Sequence, residues 1–272
     1  MVVDGRGRFM SQRRCPKMAL ISPSLPKVMN EPLLLSAPGL PTLEVPVLQA
    51  KRPGKGGGGE VVDVGIWRDT CVAVDQGEDA ATWLSDFLEM EGLRLVRMQD
   101  GFVRPTDPSY GRGFQTGFAD GFPMLLTSEE SLQELNSRMD EREAVGMERF
   151  RPNLVVRGWG PFGEDRWSEI QVGGLRMRVV KPCERCQVPT INQETLEKRE
   201  EPRATLSKFR TGAQLGLWKQ SWAEGLFFGQ NVLHEAQGMI RVGDRVEVVR
   251  VSTLGKAPKK ALLSEIASSK AD

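Results

Sequence analysis

The residue types best suited to chemistry in this chain fall in one short run, Cys183-Glu184-Arg185-Cys186. Two thiols at this spacing suit half of a zinc site, a redox pair, or a pair of ordinary half-buried cysteines. Structural zinc takes four nitrogen or sulfur ligands. The other candidates, Cys15, Cys71 and His234, offer no second paired spacing. A thioredoxin-like pair sits in a βαβ context before a helix, whereas Gln187-Val188-Pro189-Thr190-Ile191 reads as extended and proline-broken. The spacing alone leaves the pair open, with ordinary thiols as the plain reading. Its position matters more: it closely follows a strand ending at Val180, and strand ends are where functional loops are placed.

A second constellation is Arg149-Phe150-Arg151-Pro152-Asn153, followed by Glu164-Asp165. Arginine is the residue for bidentate phosphate recognition. Proline biases the residue before it toward an extended backbone, which would hold the Arg151 guanidinium at a fixed angle to the following strand. Glu164 and Asp165 could orient an arginine or bond an amide-rich ring system. Solvated charge is the competing reading for Arg149 and Arg151. The glycine run 54–59 has no strand-to-helix context and no Lys-Ser/Thr ending, so it reads as a hairpin loop, not a phosphate loop.

Composition narrows the classes. The 272 residues include one His, four Cys and six Trp, with a net charge of +1. A single histidine excludes His-rich metal sites and most Ser/His/Asp or Cys/His catalysis, and nothing near His234 suggests a base. The near-zero charge gives no support for nucleic-acid binding. No apolar run approaches the ~18 residues of a membrane helix, so no transmembrane segment is expected in this chain. The N-terminus lacks the apolar core of a secretory signal; it is Arg-rich, superficially like a transit peptide, but also reads as strand, turn, strand. Sparse cysteines point to a reducing compartment, with the chain soluble and cytoplasmic as given.

The elements that must position these residues are mostly strands. The 29 Gly and 17 Pro exceed the usual share and favour a turn-rich chain. Strands are expected at Val2–Asp4, Arg8–Met10, Met18–Ile21, Leu33–Ser36, Leu43–Val45, Glu60–Trp67, Leu93–Met98, Asn153–Arg157, Leu175–Val180 and Asp244–Val249. Helices are expected around 79–90, with Trp83, Leu84, Phe87 and Leu88 on one face, and around 127–140, opened by a Thr127/Glu130 capping box. The fold class is α+β, strand-dominated. Lys208 and Arg210 read as a basic strip or as solvated charge, Trp222 and Phe228 as core or pocket lining, and His234 as a surface or structural residue.

The order of motifs then resembles a known family. Val2-Val3-Asp4, Ser11-Gln12-Arg13 and Pro16–Ile21 come first, then Trp83-Leu84-Ser85-x-Phe87-Leu88 and Phe118-Ala119-Asp120-Gly121-Phe122-Pro123. Ser131-Leu132-x-x-Leu135-Asn136, Phe150-Arg151-Pro152-Asn153, Glu164-Asp165-x-Trp167 and Cys183-x-Arg185-Cys186 follow. Leu206-x-x-Phe209-Arg210, Phe228-Gly229-Gln230 and Val242-Gly243-Asp244 close the series. This order, over roughly residues 1–250, resembles the MOSC superfamily, and within it the mitochondrial amidoxime-reducing components and their bacterial counterparts.

The resemblance implies a MOSC-associated N-terminal β-barrel region over 1–116 packed on a MOSC β-barrel over 117–251, with a polar tail at 252–272. It implies a molybdenum cofactor (Mo-molybdopterin) lying between them, with Cys186 as the catalytic metal ligand. A soft thiolate suits a metal already held by dithiolene sulfurs. Arg185 would lower the thiolate's pKa and contact the cofactor; Arg151, Asn153, Asp120, Asp165 and Gln230 would help bind it, and Cys183 would stand outside the ligand set. The implied reaction is reduction of a small N-hydroxylated substrate, an amidoxime or hydroxylamine. Electrons would come from cytochrome b5 and its NADH-dependent reductase, the basic strip at Lys208 and Arg210 facing that acidic donor. Nothing in the chain resembles a haem, flavin or nicotinamide site, and pyridoxal phosphate binding is not expected. Two alternatives remain, a molybdenum cofactor sulfurase-like or sulfur-carrier protein and a non-catalytic remnant. The second arises because family members carry a strand with a Lys-Ser pair, and an Asp-Arg pair, before the Val-Val-Asp hairpin. This chain opens on that hairpin, so an incomplete pocket is expected. A membrane anchor, which in the animal proteins lies further upstream and can fix them at the mitochondrial outer membrane, is not expected here.

Overall fold

The computed structural model describes residues 1–28, 31–47, 49, 58–217 and 219–252. The chain divides into two compact units, one of Met1–Arg104 with Asn192–Glu197, the other of Pro105–Ile191 with the chain from Lys198 onward. Strands dominate both, as the alternating patterns and turn residues lead one to expect.

The first unit holds two antiparallel sheets. One runs in the order β1 (Val2–Val3), β7 (Arg94–Met98), β6 (Asp69–Asp75), β5 (Val61–Ile66); the other is β2 (Ser22–Ser24), β3 (Leu33–Ala37), β4 (Leu40–Val45). Helix α1 (Glu78–Leu88) starts with two acidic residues that favour the positive end of the helix dipole. It ends at Glu89, whose left-handed backbone (φ 55°) stops the helix. Its buried face, Ala80, Trp83, Leu84, Phe87 and Leu88, joins Met10, Leu35, Val45, Leu93 and Leu95 in one core. Full burial contributes roughly 1.5–3 kcal/mol for each such large side chain. The Trp83 indole N–H donates to the Pro41 carbonyl at 2.9 Å, so its polar edge is satisfied.

Two expected strands are not formed. Arg8–Met10 makes only isolated bridges, Arg8 with Gly65 and Phe9 with Val3. Met18–Ile21 is not extended; Pro16–Leu20 forms a 3₁₀ helix. Pro16 occupies the position where its missing N–H costs nothing, and Met18 N–H bonds the Cys15 carbonyl at 3.1 Å. The glycine-run expectation lies mostly outside the described residues, at 54–57, as does the polar tail beyond 252.

Two two-residue strands, β8 (Arg104–Pro105) and β9 (Gln115–Thr116), and the short helix α2 (Pro108–Gly111) precede the main sheet of the second unit. That sheet has the order β11 (Leu154–Val156), β10 (Met124–Ser128), β14 (Phe227–His234), β13 (Leu175–Glu184), β12 (Trp167–Val172), β15 (Val246–Val251). Only the β10–β11 pair is parallel. Strand β14 is central and covered on both faces. Val232 joins a core with Leu126, Trp167, Ile170 and Met177, while Phe228 joins another with Leu135, Phe150 and Leu206. The Phe150 and Phe228 rings stack at 4.1 Å. Near-continuous burial is what a doubly covered strand requires.

Two further helices of this unit are α3 (Glu129–Asn136) and α4 (Arg203–Phe209). The cap of α3 falls one residue later than the Thr127/Glu130 pattern predicts. The Ser128 hydroxyl accepts the Ser131 N–H at 3.0 Å, while Thr127 lies in β10 and donates to Met147 Sδ at 3.2 Å. The helix also stops before 140. Asn136 bonds both backbone groups of Val145, and Asp140 caps a separate 3₁₀ turn at Glu141–Glu143.

Candidate active site

Strand β13 does not stop at Val180, as expected, but runs to Glu184 and carries two register shifts against β14, between Val179 and Lys181 and between Pro182 and Glu184. Pro182 supplies no N–H to the ladder, so a bulge is the conformation it tolerates. The irregular strand end carries Cys183 and Glu184 and leads into the turn at Arg185–Cys186, which is anchored by backbone: Arg185 N–H bonds the Leu226 carbonyl at 2.7 Å.

Arg185 organises this loop. Its Nη1 donates to Cys183 Sγ at 3.1 Å and its Nη2 to the Phe150 carbonyl at 2.8 Å, and the guanidinium lies 5.5 Å from the Phe150 ring centroid. Its Nε is buried and has no acceptor among the described residues. Cys186, half-buried, accepts the Val188 N–H at 3.4 Å. Two further arginines brace the turn through carbonyls: Arg203 reaches Arg185 O at 2.8 Å and Cys186 O at 3.4 Å, and Arg149 Nε reaches Pro189 O at 3.1 Å. Arg203 belongs to no motif, because nothing local marks a helical arginine that caps a distant turn. Arg149 is buried, so solvated charge does not describe it.

The segment bearing Arg151 and Asn153 lies next to this loop, joined to it by the Arg185–Phe150 bond. Asn153 extends the strand pairing with both its backbone and its side chain, as its N–H donates to Leu125 O at 2.9 Å and its Oδ1 accepts Leu125 N–H at 2.8 Å. Arg151 is exposed and left-handed (φ 56°, ψ 48°), not extended as its proline neighbour suggests. It terminates the 3₁₀ turn Met147–Phe150 by bonding the Glu148 carbonyl. A non-glycine residue in this region stores about 1–3 kcal/mol of strain.

Asp165 and Gln230 come together in a buried cluster built on Arg210. Arg210 forks onto Asp165 at 2.6 and 3.1 Å, Gln230 Nε2 donates to Asp165 Oδ1 at 2.7 Å, and Arg210 Nε bonds the Phe227 carbonyl at 3.1 Å. The two charged side chains are only 4% and 7% exposed. Arg210 therefore does not belong to a basic surface strip; Lys208 alone of that pair is exposed. Beside this cluster Glu164 is buried and accepts the Ser131 hydroxyl at 2.7 Å. Burial, reinforced by the neighbouring Asp165 charge, pushes its carboxyl above the ordinary range. Asp120 is exposed on the loop between β9 and β10.

Trp222 and Phe228 are buried, and His234 is exposed at the end of β14. All four cysteines are free, with Cys15 and Cys71 in the first unit. Among the described residues no three His, Cys, Asp or Glu side chains converge to hold a metal ion. A metal at Cys186 would have to bring its other ligands with it.

A family model for the MOSC domain matches residues 114–247, and one for the MOSC N-terminal beta barrel domain matches residues 1–91. The mouse mitochondrial amidoxime-reducing component 1 is 32% identical over 90% of this chain and 70% of its own length. The chain belongs to the MOSC family. This MOSC protein is also 31% identical to the human mitochondrial amidoxime reducing component 2, over 90% of the chain and 71% of that relative. The zebrafish molybdenum cofactor sulfurase is 32% identical over 78% of the chain but only 26% of its own length. Among the described residues no helix of this MOSC protein is long and apolar enough to cross a membrane.

Proposed function

We propose that this MOSC protein is a molybdenum-cofactor-dependent oxidoreductase that reduces N-hydroxylated compounds, with residues 1–116 as its N-terminal barrel region and 117–251 as its MOSC domain. The observation that carries this reading is the Cys183–Cys186 loop. It presents a half-buried thiol with one weak backbone bond, beside a buried guanidinium N–H that no atom of the described residues accepts. That donor set fits a soft metal whose remaining ligands arrive with an organic cofactor. The kinship to amidoxime-reducing components supports the same reading.

Cys186 would ligate the metal and Arg185 Nε would be the donor left for the cofactor, while Nη1 and Nη2 keep their bonds to Cys183 Sγ and the Phe150 carbonyl. Arg151 and Asn153 would help hold the cofactor from the neighbouring segment, and Asp120 would do so from its loop. Asp165 and Gln230 act from behind, because their polar atoms are engaged with Arg210 and each other. The bound cofactor supplies the two-electron chemistry. The overall change takes an amidoxime, two electrons and two protons to an amidine and water. Electrons are proposed to come from cytochrome b5 and its NADH-dependent reductase, in a reducing, cytoplasmic setting consistent with four free thiols.

The test is molybdenum per chain in protein purified from a host that makes the cofactor, followed by benzamidoxime reduction with reduced methyl viologen. About one atom per chain with turnover is the expected result. Folded protein without molybdenum overturns the proposal. A sulfurase-like role is the second reading, favoured by the zebrafish relative; molybdenum retention without amidoxime turnover would select it.

A further inference from the structure

Two lysines stand on an aromatic pair just before the thiol loop. The Tyr110 and Trp222 rings stack at 6.3 Å with an interplanar angle of 21°. Lys181 Nζ lies 5.6 and 5.0 Å from their centroids, and Lys219 Nζ lies 5.0 and 4.9 Å from the same two. Phe122 and Phe227 close on the rings edge-on and tilted, fixing their planes. Lys181 sits in β13 two residues before Cys183. The groups that face it are Lys219, Cys183, Glu184 and Asp107, and among the described residues no carboxylate forms an ion pair with it.

We propose that Lys181 and Lys219, on the Tyr110–Trp222 platform, form a subsite for a carboxylate borne by the substrate.

Like charges on one ring pair repel, and burial adds to the cost of the Lys181 charge. Both effects hold its ammonium below the ordinary lysine range, burial first and Lys219 next. An anion between the two ammoniums removes the repulsion. The aromatic faces attract each cation individually and so hold both in place before any anion arrives. Lysine recognises an anion as a point charge with rotatable donors and demands no bidentate geometry. The half-buried setting of both lysines leaves the subsite open to solvent while reducing screening. Its place on the strand that leads into Cys183 sets the anion beside the loop proposed to bind the cofactor, which is where a substituent of the substrate would reach. That the anion belongs to a substrate rests on the reductase reading; the anion site itself does not.

The test uses benzoate and its neutral isostere benzamide as probes, titrated calorimetrically into the cofactor-loaded protein, into cofactor-free protein, and into Lys181→Gln. Benzoate should bind both wild-type forms saturably, benzamide at least tenfold more weakly, and Lys181→Gln should lose most of the difference. A paired assay compares kcat/KM for 4-carboxybenzamidoxime and benzamidoxime; their ratio should exceed ten in the wild type and fall toward one in Lys181→Gln. Lys219→Gln should lower the same ratio. Equal binding of the two probes, or benzoate binding untouched by Lys181→Gln, overturns the subsite. Benzoate binding confined to cofactor-free protein also overturns it, because the lysines would then be holding the cofactor's phosphate. If no amidoxime is reduced yet benzoate binds as expected, the reductase reading fails and the anion site stands.

Discussion

At Cys186 the environment separates two thiols that the spacing alone treats alike. The Cys183 sulfur already accepts Arg185 Nη1, whereas the Cys186 sulfur has only the Val188 amide. Cys186→Ser should therefore bring molybdenum per chain to near zero in folded protein, and Cys183→Ser should keep most of it; equal loss in both would sink the assignment of Cys186 as sole ligand. The Arg210–Asp165 pair is the other residue-level test. Removing one partner of a buried ion pair leaves an uncompensated charge, at a cost of about 3–5 kcal/mol. Asp165→Asn should lower the urea midpoint accordingly, while Lys208→Gln, on the exposed side chain, should leave it nearly unchanged. The sequence placed Arg210 beside Lys208 as surface charge because its partner lies 45 residues earlier. No local pattern reports such a contact.

The decisive element is the pair β13–β14. Gly229 in β14 has φ 79°, and a Cβ there would meet the Leu126 carbonyl oxygen at 2.7 Å. Gly229→Ala should destabilise the second unit by about 1–3 kcal/mol, through backbone strain and forced separation from β10. A thermal melt with a midpoint equal to the parent protein would show that the backbone yields more easily than this contact implies. The alternating run Leu175–Val180 announces β13, since half-buried strands alternate. Strand β14 escapes that rule because both of its faces are covered, leaving a run of buried residues from Phe227 to Gln230 with no period to read. The Met18–Ile21 and Thr127 expectations failed for related reasons. A proline at a first helical turn and a serine one residue downstream competed successfully with apolar patterning.

For the whole molecule, Glu164 links stability to pH. Its folded-state pKa is raised above the ordinary 4.5 by burial. The sign follows: the neutral carboxyl stabilises the fold fully below about pH 4.5, and that contribution is lost as pH rises through the raised value. Glu164→Gln keeps an acceptor for the Ser131 hydroxyl without the ionisation. Its melting temperature should fall less than the parent's between pH 4.5 and neutrality; parallel curves would show that Glu164 does not titrate in that interval.

The strand-dominated class, the core face of α1 and the family were legible in the chain alone, because these follow from composition, short-range periodicity and the order of motifs. Tertiary structure alone decided which charges are buried, that Arg149 and Arg203 brace the thiol loop, that Arg151 is left-handed, and that two lysines meet on one aromatic pair. Those features depend on bonds and ring contacts between residues tens of positions apart. Their free energy comes from excluding water around specific partners, and one-dimensional spacing carries no record of it.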